Sequence, residues 1–534
     1  MPIPKAPGRA GRCFICAVVF GFLAHASQAP GEATGVESQD RRPTQPSPGT
    51  QAMVRRLQQL EQQADPAKNL YISDRRVDMI RNELARAQGL TARLSLQITL
   101  AKELLVASRP DQAIAILQQV RDTINKNKLE IADRNRRDLR DIEAICYFRL
   151  AEVENCIARH GVDSCLFPIK GGGVHVATRG SRGAIKLYTQ ALEEDSADLS
   201  SRWLLNLAYM TLGQYPEQVP DPWLIPPEKF ASDSQIPRFY DVAAGLGLDV
   251  LGLSGGCVVE DMDADGYLDI IVSGWGLHEQ IQYFHNNQDG TFTNRTADAG
   301  LTGIVGGLNL CHADYNNDGY PDVLVLRGAW LGEAGKHPNS LLRNNGDGTF
   351  DDVTEAARLL SFHPTQTAAW GDFDNDGWVD LFIGNESPAA FTHPSELFRN
   401  NGDGTFTECA AQMGIAHRGF VKAVAFGDYN NDGRLDLYVS CRGQPNALYR
   451  NDGPQTAPAS ESRRRQAPAW RFTDVAAQAG VQQPLYSFPT WFWDYDNDGW
   501  QDLLVFGYRW RNVGDVAADY LGLPHPAERP RLYH

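Results

Sequence analysis

Five nine-residue segments of this chain concentrate carboxylates at a fixed spacing. The first, DMDADGYLD, begins at Asp261, and related segments begin at Asp314, Asp372, Asp428 and Asp494. Positions 1, 3, 5 and 9 of each segment are Asp or Asn, and position 6 is always glycine. Oxygen donors at alternate positions around a sharp turn can wrap a hard cation, and Ca²⁺ accepts about six to eight oxygens with flexible geometry. The pattern therefore predicts calcium loops.

The predicted metal ligands are the side chains at positions 1, 3, 5 and 9. In chain order they are Asp261, Asp263, Asp265, Asp269, Asp314, Asn316, Asp318, Asp322, Asp372, Asp374, Asp376, Asp380, Asp428, Asn430, Asp432, Asp436, Asp494, Asp496, Asp498 and Asp502. An EF-hand would close its loop with a glutamate at position 12. Here position 12 is Val or Ile inside an apolar run, so the ninth-position aspartate must close the site, and a β-hairpin must replace the two helices.

The alternative is that Asp, Asn and Gly simply form tight turns. A single segment would be compatible with that interpretation. Five at the same place in five repeats are not, because uncompensated carboxylates a few ångströms apart repel one another and oppose folding. We expect about one Ca²⁺ per loop, and up to five in the chain.

The elements that position these loops repeat with them. The first aspartates are 53, 58, 56 and 66 residues apart, and each segment lies between two apolar runs. A short strand pattern and an Asn-Gly or Asp-Gly hairpin, as in SLLRNNGDGTF, follow in most units. Each unit therefore contains about four antiparallel strands, and tandem units of this kind predict the blades of an all-β propeller over residues 238–534.

The preceding region has a different texture. Residues 51–215 show helical periodicity, with small residues where helices would cross, and resemble tetratricopeptide (TPR) units; an irregular helical array is the alternative, because no clean repeat period links the helix pairs. Two segments rich in Pro, Gly or Ser, 27–50 and 216–237, are predicted linkers. The fold class is thus multidomain, an all-α TPR-like array followed by the propeller.

The N-terminus predicts export. Three basic residues, a short apolar stretch and the Ala24-His25-Ala26 pattern indicate a signal peptide over residues 1–26, cleaved near Ala26. The stretch is too short to span a bilayer, and no other segment is apolar enough. In the oxidising compartment that export implies, Cys156 and Cys165 either form a local disulfide or remain thiols. A net charge of -16 disfavours a nucleic-acid partner.

The motif D-x-[DN]-x-D-G-x-x-D, in units ending NNGDGTF, resembles the FG-GAP/VCBS repeats of integrin α-subunit propellers. The endings FYDVAAGLGL and FTDVAAQAGV, behind a helical region, are similar to the ASPIC/UnbV (cartilage acidic protein-like) family. This resemblance implies calcium in the twenty positions above and about seven blades in a complete protein. The ending RLYH aligns with the third strand of other units, so we expect truncation inside the fifth blade, before any ASPIC/UnbV segment; FYDV, residues 239–242, is expected to be an outer strand that closes the ring.

No catalytic motif is recognisable, and the histidines are scattered. We therefore expect a secreted protein, extracellular, on the cell surface or periplasmic, that acts as a binding or adhesion scaffold for protein or glycan. Calcium would stiffen the blades, and the TPR-like region would bind a protein partner. An extracellular polysaccharide lyase or hydrolase is the alternative, and would need His, Lys, Arg or Tyr to converge near the channel. A third interpretation makes the ions structural only.

Overall fold

A computed structural model describes residues 46–157, 159, 161, 163–164, 166–231, 239–455 and 470–534. The chain divides into two compact units. The helical unit comprises the described parts of Leu70–Gly245 and Trp510–Ala527, and the propeller unit comprises those of Ala33–Asn69, Leu246–Arg509 and Glu528–His534. The predicted signal peptide and Cys165 lie outside the described residues, so export and the disulfide remain predictions.

Helices account for the N-terminal region, as predicted. The first seven helices are α1 (Pro48–Gln63), α2 (Ser73–Arg86), α3 (Leu90–Val106), α4 (Pro110–Lys126), α5 (Asp133–Asn155), α6 (Arg179–Glu194) and α7 (Leu199–Thr211). Within the helical unit each of α2 to α7 contacts the next in sequence order. No helix in the described ranges is long and apolar enough to cross a membrane.

The predicted linker 216–237 is wrong for its first part, because residues 216–231 pack into the helical unit. Ile225 is fully buried, and its backbone N donates to the side chain of Asn206 on α7 at 2.9 Å. Arg202 and Asn206 also bond the carbonyl of Trp223, which lies in a short 3₁₀ turn, Asp221–Trp223. The prolines of residues 216–231 therefore belong to a packed segment. The rest of the predicted linker, from residue 232 onward, lies outside the described residues.

A helix from the predicted propeller range completes the helical unit. Helix α8 (Val513–Leu521) begins with Asn512 as N-cap and ends at Gly522, which has a left-handed φ of 73°. Its Val516, Ala517 and Tyr520 join the core around Trp203, with the rings of Trp203 and Tyr520 centred 5.0 Å apart. The boundary predicted at residue 238 therefore holds only in part, because residues 510–527 belong to the other unit.

The propeller unit contains five antiparallel sheets, one for each acidic loop. Their strands are β1 (Ser254–Glu260), β2 (Asp269–Gly274), β3 (Gln282–Asn286), β4 (Phe292–Asn294); β5 (Asn309–Ala313), β6 (Asp322–Leu326), β7 (Ser340–Asn344), β8 (Phe350–Asp352); β9 (Thr365–Gly371), β10 (Asp380–Asn385), β11 (Glu396–Asn400), β12 (Phe406–Glu408); β13 (Val421–Gly427), β14 (Asp436–Cys441), β15 (Ala447–Pro454), β16 (Trp470–Asp474); and β17 (Ser487–Trp493), β18 (Asp502–Gly507), β19 (Arg531–Tyr533).

These sheets are the blades of a β-propeller, as predicted. Strands follow chain order within each sheet, and four sheets have four strands while the fifth has three in the described residues. The first strands of successive blades, β1, β5, β9, β13 and β17, contact one another in turn. Apolar side chains such as Phe373, Phe382 and Leu437 fill the space between neighbouring blades.

Two predicted boundaries at the start of the propeller are wrong. Helix α1 begins at Pro48, inside the predicted linker 27–50, and belongs to the propeller unit, although the helical domain was predicted over 51–215. Met53 and Leu57 on its apolar face join the core of the first two blades, and Arg56 pairs with Glu355 at 2.9 Å. Residues 239–242, the predicted closing strand, lie in no strand of the model, and Phe239 is 93% exposed.

Candidate metal loops

Each acidic segment connects the first and second strands of its blade. The ninth-position aspartate opens the second strand and pairs with the residue just before position 1, as in Gly371↔Asp380 and Gly427↔Asp436. Positions 4 and 6 have left-handed backbones; in the third loop Asn375 has φ 55° and Gly377 has φ 89°. Asparagine and glycine tolerate this region better than other residues, which explains their recurrence at these two positions.

The first-position aspartate shapes the loop through its own carboxylate. In all five loops it accepts hydrogen bonds from the backbone N atoms of positions 5 and 6, at 2.8–3.1 Å. These bonds fold the loop back on itself without the help of an ion. Local hydrogen bonding thus accounts for part of the Asp and Gly signature, and the turn interpretation is correct to that extent.

The ninth-position aspartates are buried at the base of the loops. They are Asp269, Asp322, Asp380, Asp436 and Asp502, each at most 1% exposed. In the first four blades one carboxylate oxygen accepts from the backbone N of a third-strand asparagine at 2.7–2.8 Å. A buried carboxylate is costly unless it is paired or coordinates a metal, so this burial is consistent with the predicted closing ligand.

Burial and crowding change the protonation of these carboxyls. Desolvation is the largest cause, and it raises the pKa of Asp322 to about 7, of Asp380 to about 8 and of Asp436 to about 7. Burial also raises the pKa of Asp374 at position 3 of the third loop. Carboxylates held this way resist ionisation, and a divalent cation among them would favour the ionised form.

In loops 1, 3 and 5 the structure brings predicted acidic ligands together. In each of these loops three acidic groups offer oxygens within 4.8 Å of one another: Asp261, Asp263 and Asp265; Asp372, Asp374 and Asp380; Asp494, Asp496 and Asp502. Loops 2 and 4 have Asn316 and Asn430 at position 3, whose amide oxygens accept from the backbone N of position 5 at 3.2 and 3.1 Å.

A basic residue on the third strand faces several loops, and sequence reasoning missed it. Arg399 donates to Asp374 at 2.7 Å and to Asp376 at 3.1 Å. His285 lies 3.3 Å from both Asp263 and Asp269, and His534 lies 3.1 Å from Asp502. The sequence did contain a signal for these residues: a His or Arg stands directly before the third-strand Asn in both QYFHN and ELFRN, at the same position of the repeat. The Arg399 guanidinium partly balances the charge of the carboxylates in the third loop.

The carboxylates of the acidic loops are better suited to bind a hard cation than to remain without a ligand. Asp263 Oδ1 and Asp374 Oδ1, both at position 3, are buried and have no hydrogen-bond partner among the described residues. An unpaired buried carboxylate oxygen is costly unless an ion or proton satisfies it. The donor set is all oxygen, which suits Ca²⁺ and gives a soft metal no thiolate.

Asparagine side chains join one loop to the next. The position-4 amides of Asn317, Asn375 and Asn431 donate to the position-6 carbonyls of the following loops at 2.9–3.0 Å. The first loop has Ala264 at this position, which offers no such donor. Position 4 was not among the predicted functional positions, although Asn recurs there in four of five loops. Loops 2 to 5 are therefore joined in a row by these bonds.

A family model described as an FG-GAP-like repeat matches residues 261–325, 329–383 and 372–439. The first four acidic loops lie within these FG-GAP-like matches. The first and third matched segments each begin at position 1 of an acidic loop and end in the second strand of the next blade. An FG-GAP-like repeat is therefore offset from the blade, and includes the interface between two blades.

The chain is also similar to cartilage acidic protein 1 from three vertebrates. The human protein is 28% identical over 292 residues, which are 51% of this chain and 41% of that protein. The mouse protein is 28% identical over 288 residues, 51% and 42% of the two chains. The protein of Xenopus tropicalis is 26% identical over 152 residues, 28% and 22%. The chain thus spans less than half the length of these relatives.

Proposed function

We propose that this protein is a secreted, calcium-binding propeller that acts as an extracellular binding scaffold for a protein or glycan. Calcium in the acidic loops would neutralise the clustered carboxylates and stiffen one end of each blade. Export follows from the predicted signal peptide of residues 1–26. The helical unit offers a second surface for a protein partner.

One observation carries the calcium assignment. Asp374 has a buried carboxylate oxygen without a hydrogen-bond partner, in a loop where Asp372 and Asp380 offer oxygens within 4.8 Å. Turn formation alone explains the first-position aspartate, whose bonds are all local. It does not explain a buried cluster of carboxylates. A divalent ion supplies the missing partner and removes the repulsion between them.

Calcium binding is tested by titrating the full chain with Ca²⁺ in a calorimeter, after treatment with a chelator. We expect up to five ions per chain and a higher melting temperature when calcium is present. At free calcium about tenfold above the dissociation constant, each bound ion contributes about 1.4 kcal/mol to stability. Equal melting temperatures with chelator and with calcium, together with no heat of binding, would show the assignment to be wrong.

A pair of aspartates in the third blade makes the test specific. Asp376→Ala removes a predicted ligand and should lower the stoichiometry by about one ion. Asp403→Ala removes an equally charged side chain from the hairpin turn of the same blade, where it bonds only Thr405. That control should keep the full stoichiometry. A loss of the same size in both variants would indicate general charge attraction instead of a loop site.

A further inference from the structure

The ends of the blade strands opposite the acidic loops carry a second, different set of side chains. Antiparallel pairing puts Asp380 beside Gly371 at the loop end and Asn385 beside Thr365 at the other. Just beyond that other end, the residues following the second strands include aromatic ones in the first two blades and basic ones in the last two. We call this set of side chains the strand-end strip. Its members are Trp275, Trp330, Phe420, Lys422, Arg442, Tyr486 and Arg509.

Trp330 is the most unusual member of the strip. Its φ is 72°, a backbone conformation that bulky side chains rarely adopt and that costs energy unless neighbouring groups enforce it. Three contacts do so: its backbone N donates to Glu386 at 2.7 Å, its indole Nε1 donates to Gln366 at 2.8 Å, and its ring lies 5.8 Å from that of Trp275. The indole nevertheless remains 46% exposed. The fold therefore maintains a tryptophan with a strained backbone whose side chain stays partly accessible to solvent.

A buried ion pair holds this tryptophan from behind. Lys422 is 5% exposed, forms a salt bridge with Glu386, and donates to Gln366 at 3.0 Å. Its Nζ also lies 4.7 Å from the centre of the Phe420 ring and 5.7 Å from that of Trp330. The same two acceptors thus bind both Lys422 and Trp330. A network with every partner engaged fixes the position of the exposed ring.

Two exposed arginines extend the strip. The Arg442 guanidinium lies 5.6 Å from the Phe420 ring, and that of Arg509 lies 4.8 Å from the Tyr486 ring. Neither arginine forms an ion pair with a carboxylate in the part of the chain that the model describes. Glu528 is a nearby carboxylate, and accepts from the Tyr486 backbone N at 2.7 Å. Lys422 and Glu386 lie in the same area, and Glu279 lies beside Trp275, where it accepts from Gly276 N at 3.0 Å. The two exposed arginines thus add positive charge to the strip in a chain whose net charge is -16.

We propose that the strand-end strip binds an anionic saccharide, with a sugar ring stacked on Trp330 and carboxylate or sulfate groups on Arg442 and Arg509. A flat exposed aromatic face suits the apolar face of a pyranose ring. Planar guanidiniums supported by rings suit carboxylate or sulfate oxygens, which they can bind in a bidentate manner. This inference rests on the proposed function as a binding scaffold, and specifies the ligand class and the surface that contacts it.

The binding test uses the full chain in calcium and three oligosaccharides of similar length: polygalacturonate, heparin and the neutral maltooligosaccharide. We expect polygalacturonate or heparin to bind and the neutral chain to bind at least about tenfold more weakly, a difference of about 1.4 kcal/mol. Comparing the two anionic probes separates carboxylate from sulfate recognition. Equal binding of all three, or stronger binding of a polyglutamate peptide, would overturn the proposal.

Substitutions then locate the site. Trp330→Asn keeps a residue that tolerates the left-handed backbone but removes the ring, and should weaken binding of the anionic probe about tenfold. Trp491→Ala removes a similarly exposed tryptophan, 42% exposed, from the first strand of the fifth blade, and should leave binding unchanged. If Trp330→Asn binds the probe like the unmodified chain, the assignment is wrong.

A second variant covers the case in which Trp330→Asn does not fold. The double change Arg442→Gln and Arg509→Gln alters only exposed side chains, and should weaken binding and reduce its salt dependence. Arg471→Gln, on the fourth strand β16, is the matched control. Calcium titration of the same samples separates the two proposals: calcium binding without saccharide binding contradicts only the strip, and saccharide binding without calcium binding contradicts only the metal loops.

Discussion

At the scale of single residues, the same residue type has different roles according to its neighbours. Each carboxylate oxygen of the first-position Asp372 accepts one bond from a local backbone N, whereas the third-position Asp374 keeps a buried oxygen without a hydrogen-bond partner among the described residues. The ninth-position Asp380 is buried, and its pKa is raised to about 8. The nine-residue pattern therefore combines a turn former, open ligands and a desolvated closing group. Sequence reasoning gave a separate role only to the ninth position, as the closing ligand, and did not distinguish positions 1, 3 and 5.

Buried histidines give the propeller a pH dependence apart from the acidic loops. Burial lowers the pKa of His337 and of His417 to about 4. Because an unfolded histidine binds its proton near pH 6.5, the unfolded state binds more protons between about pH 6.5 and pH 4, and stability falls as the pH is lowered through this window. We expect about 1–2 kcal/mol of destabilisation per histidine between pH 7 and pH 5.

Thermal unfolding at both pH values checks this expectation in calcium buffer. His417→Gln should reduce the loss on acidification, because glutamine does not titrate in this pH range. The imidazole that it replaces has Nδ1 2.9 Å from Tyr449 Oη and Nε2 3.3 Å from Cys441 Sγ. His312→Gln changes a 40% exposed side chain and should keep the loss of the unmodified chain. A pH-independent melting temperature would contradict the assignment.

At the scale of elements, a third-strand asparagine couples neighbouring blades. Asn400 uses its backbone N for Asp380, and its side-chain amide donates to Tyr315 O in the preceding blade at 2.8 Å. Asn344 and Asn451 repeat this bond to Met262 and Phe373 at 2.6 and 2.8 Å. The asparagine of the RNNGDG sequence thus forms both the hairpin and the blade interface. Its hairpin role was predictable from the sequence; its interface role was not, because the acceptor lies in another repeat.

Asn400→Ala should therefore destabilise the propeller by about 2–4 kcal/mol, since it removes the amide that bonds the buried carbonyl of Tyr315 and the part-buried carbonyl of Val379. Asn286→Ala is the matched control in the first blade. There the amide nitrogen donates to Leu268 O and the amide oxygen accepts from Gln288 N, both in its own blade and in exposed positions. We expect that change to cost about 1 kcal/mol or less by chemical denaturation. Equal losses would show that the bond between blades contributes little.

At the scale of the whole molecule, sequence order and compact units do not coincide. Helix α1 precedes the helical unit in sequence but belongs to the propeller unit, and α8 interrupts the fifth blade but belongs to the helical unit. Periodicity predicted the helical and propeller regions correctly. It could not assign α1 and α8, because an amphipathic helix specifies that one face is buried without specifying its partner.

Tyr520→Ala should destabilise the helical unit by about 3–5 kcal/mol, because it leaves a cavity beside Trp203 and Phe230. Leu523→Ala, two residues beyond α8 and 44% exposed, should change stability by no more than about 0.5 kcal/mol. Far-ultraviolet circular dichroism during thermal unfolding reports the helices. An unchanged helical transition in Tyr520→Ala would contradict the assignment of α8 to this core.

The sequence by itself determined the features that depend on local patterns. These are the five acidic loops, the strand and hairpin order of the FG-GAP-like repeats, and the helical character of the N-terminal region; all three follow from residue spacing within one repeat or one helix. Tertiary structure alone decided which aspartate oxygens are buried without a partner, which asparagines join blades, and how Trp330 is held over Lys422 and Glu386. Those features need side chains from different repeats at one place, and the packing of blade against blade brings them there.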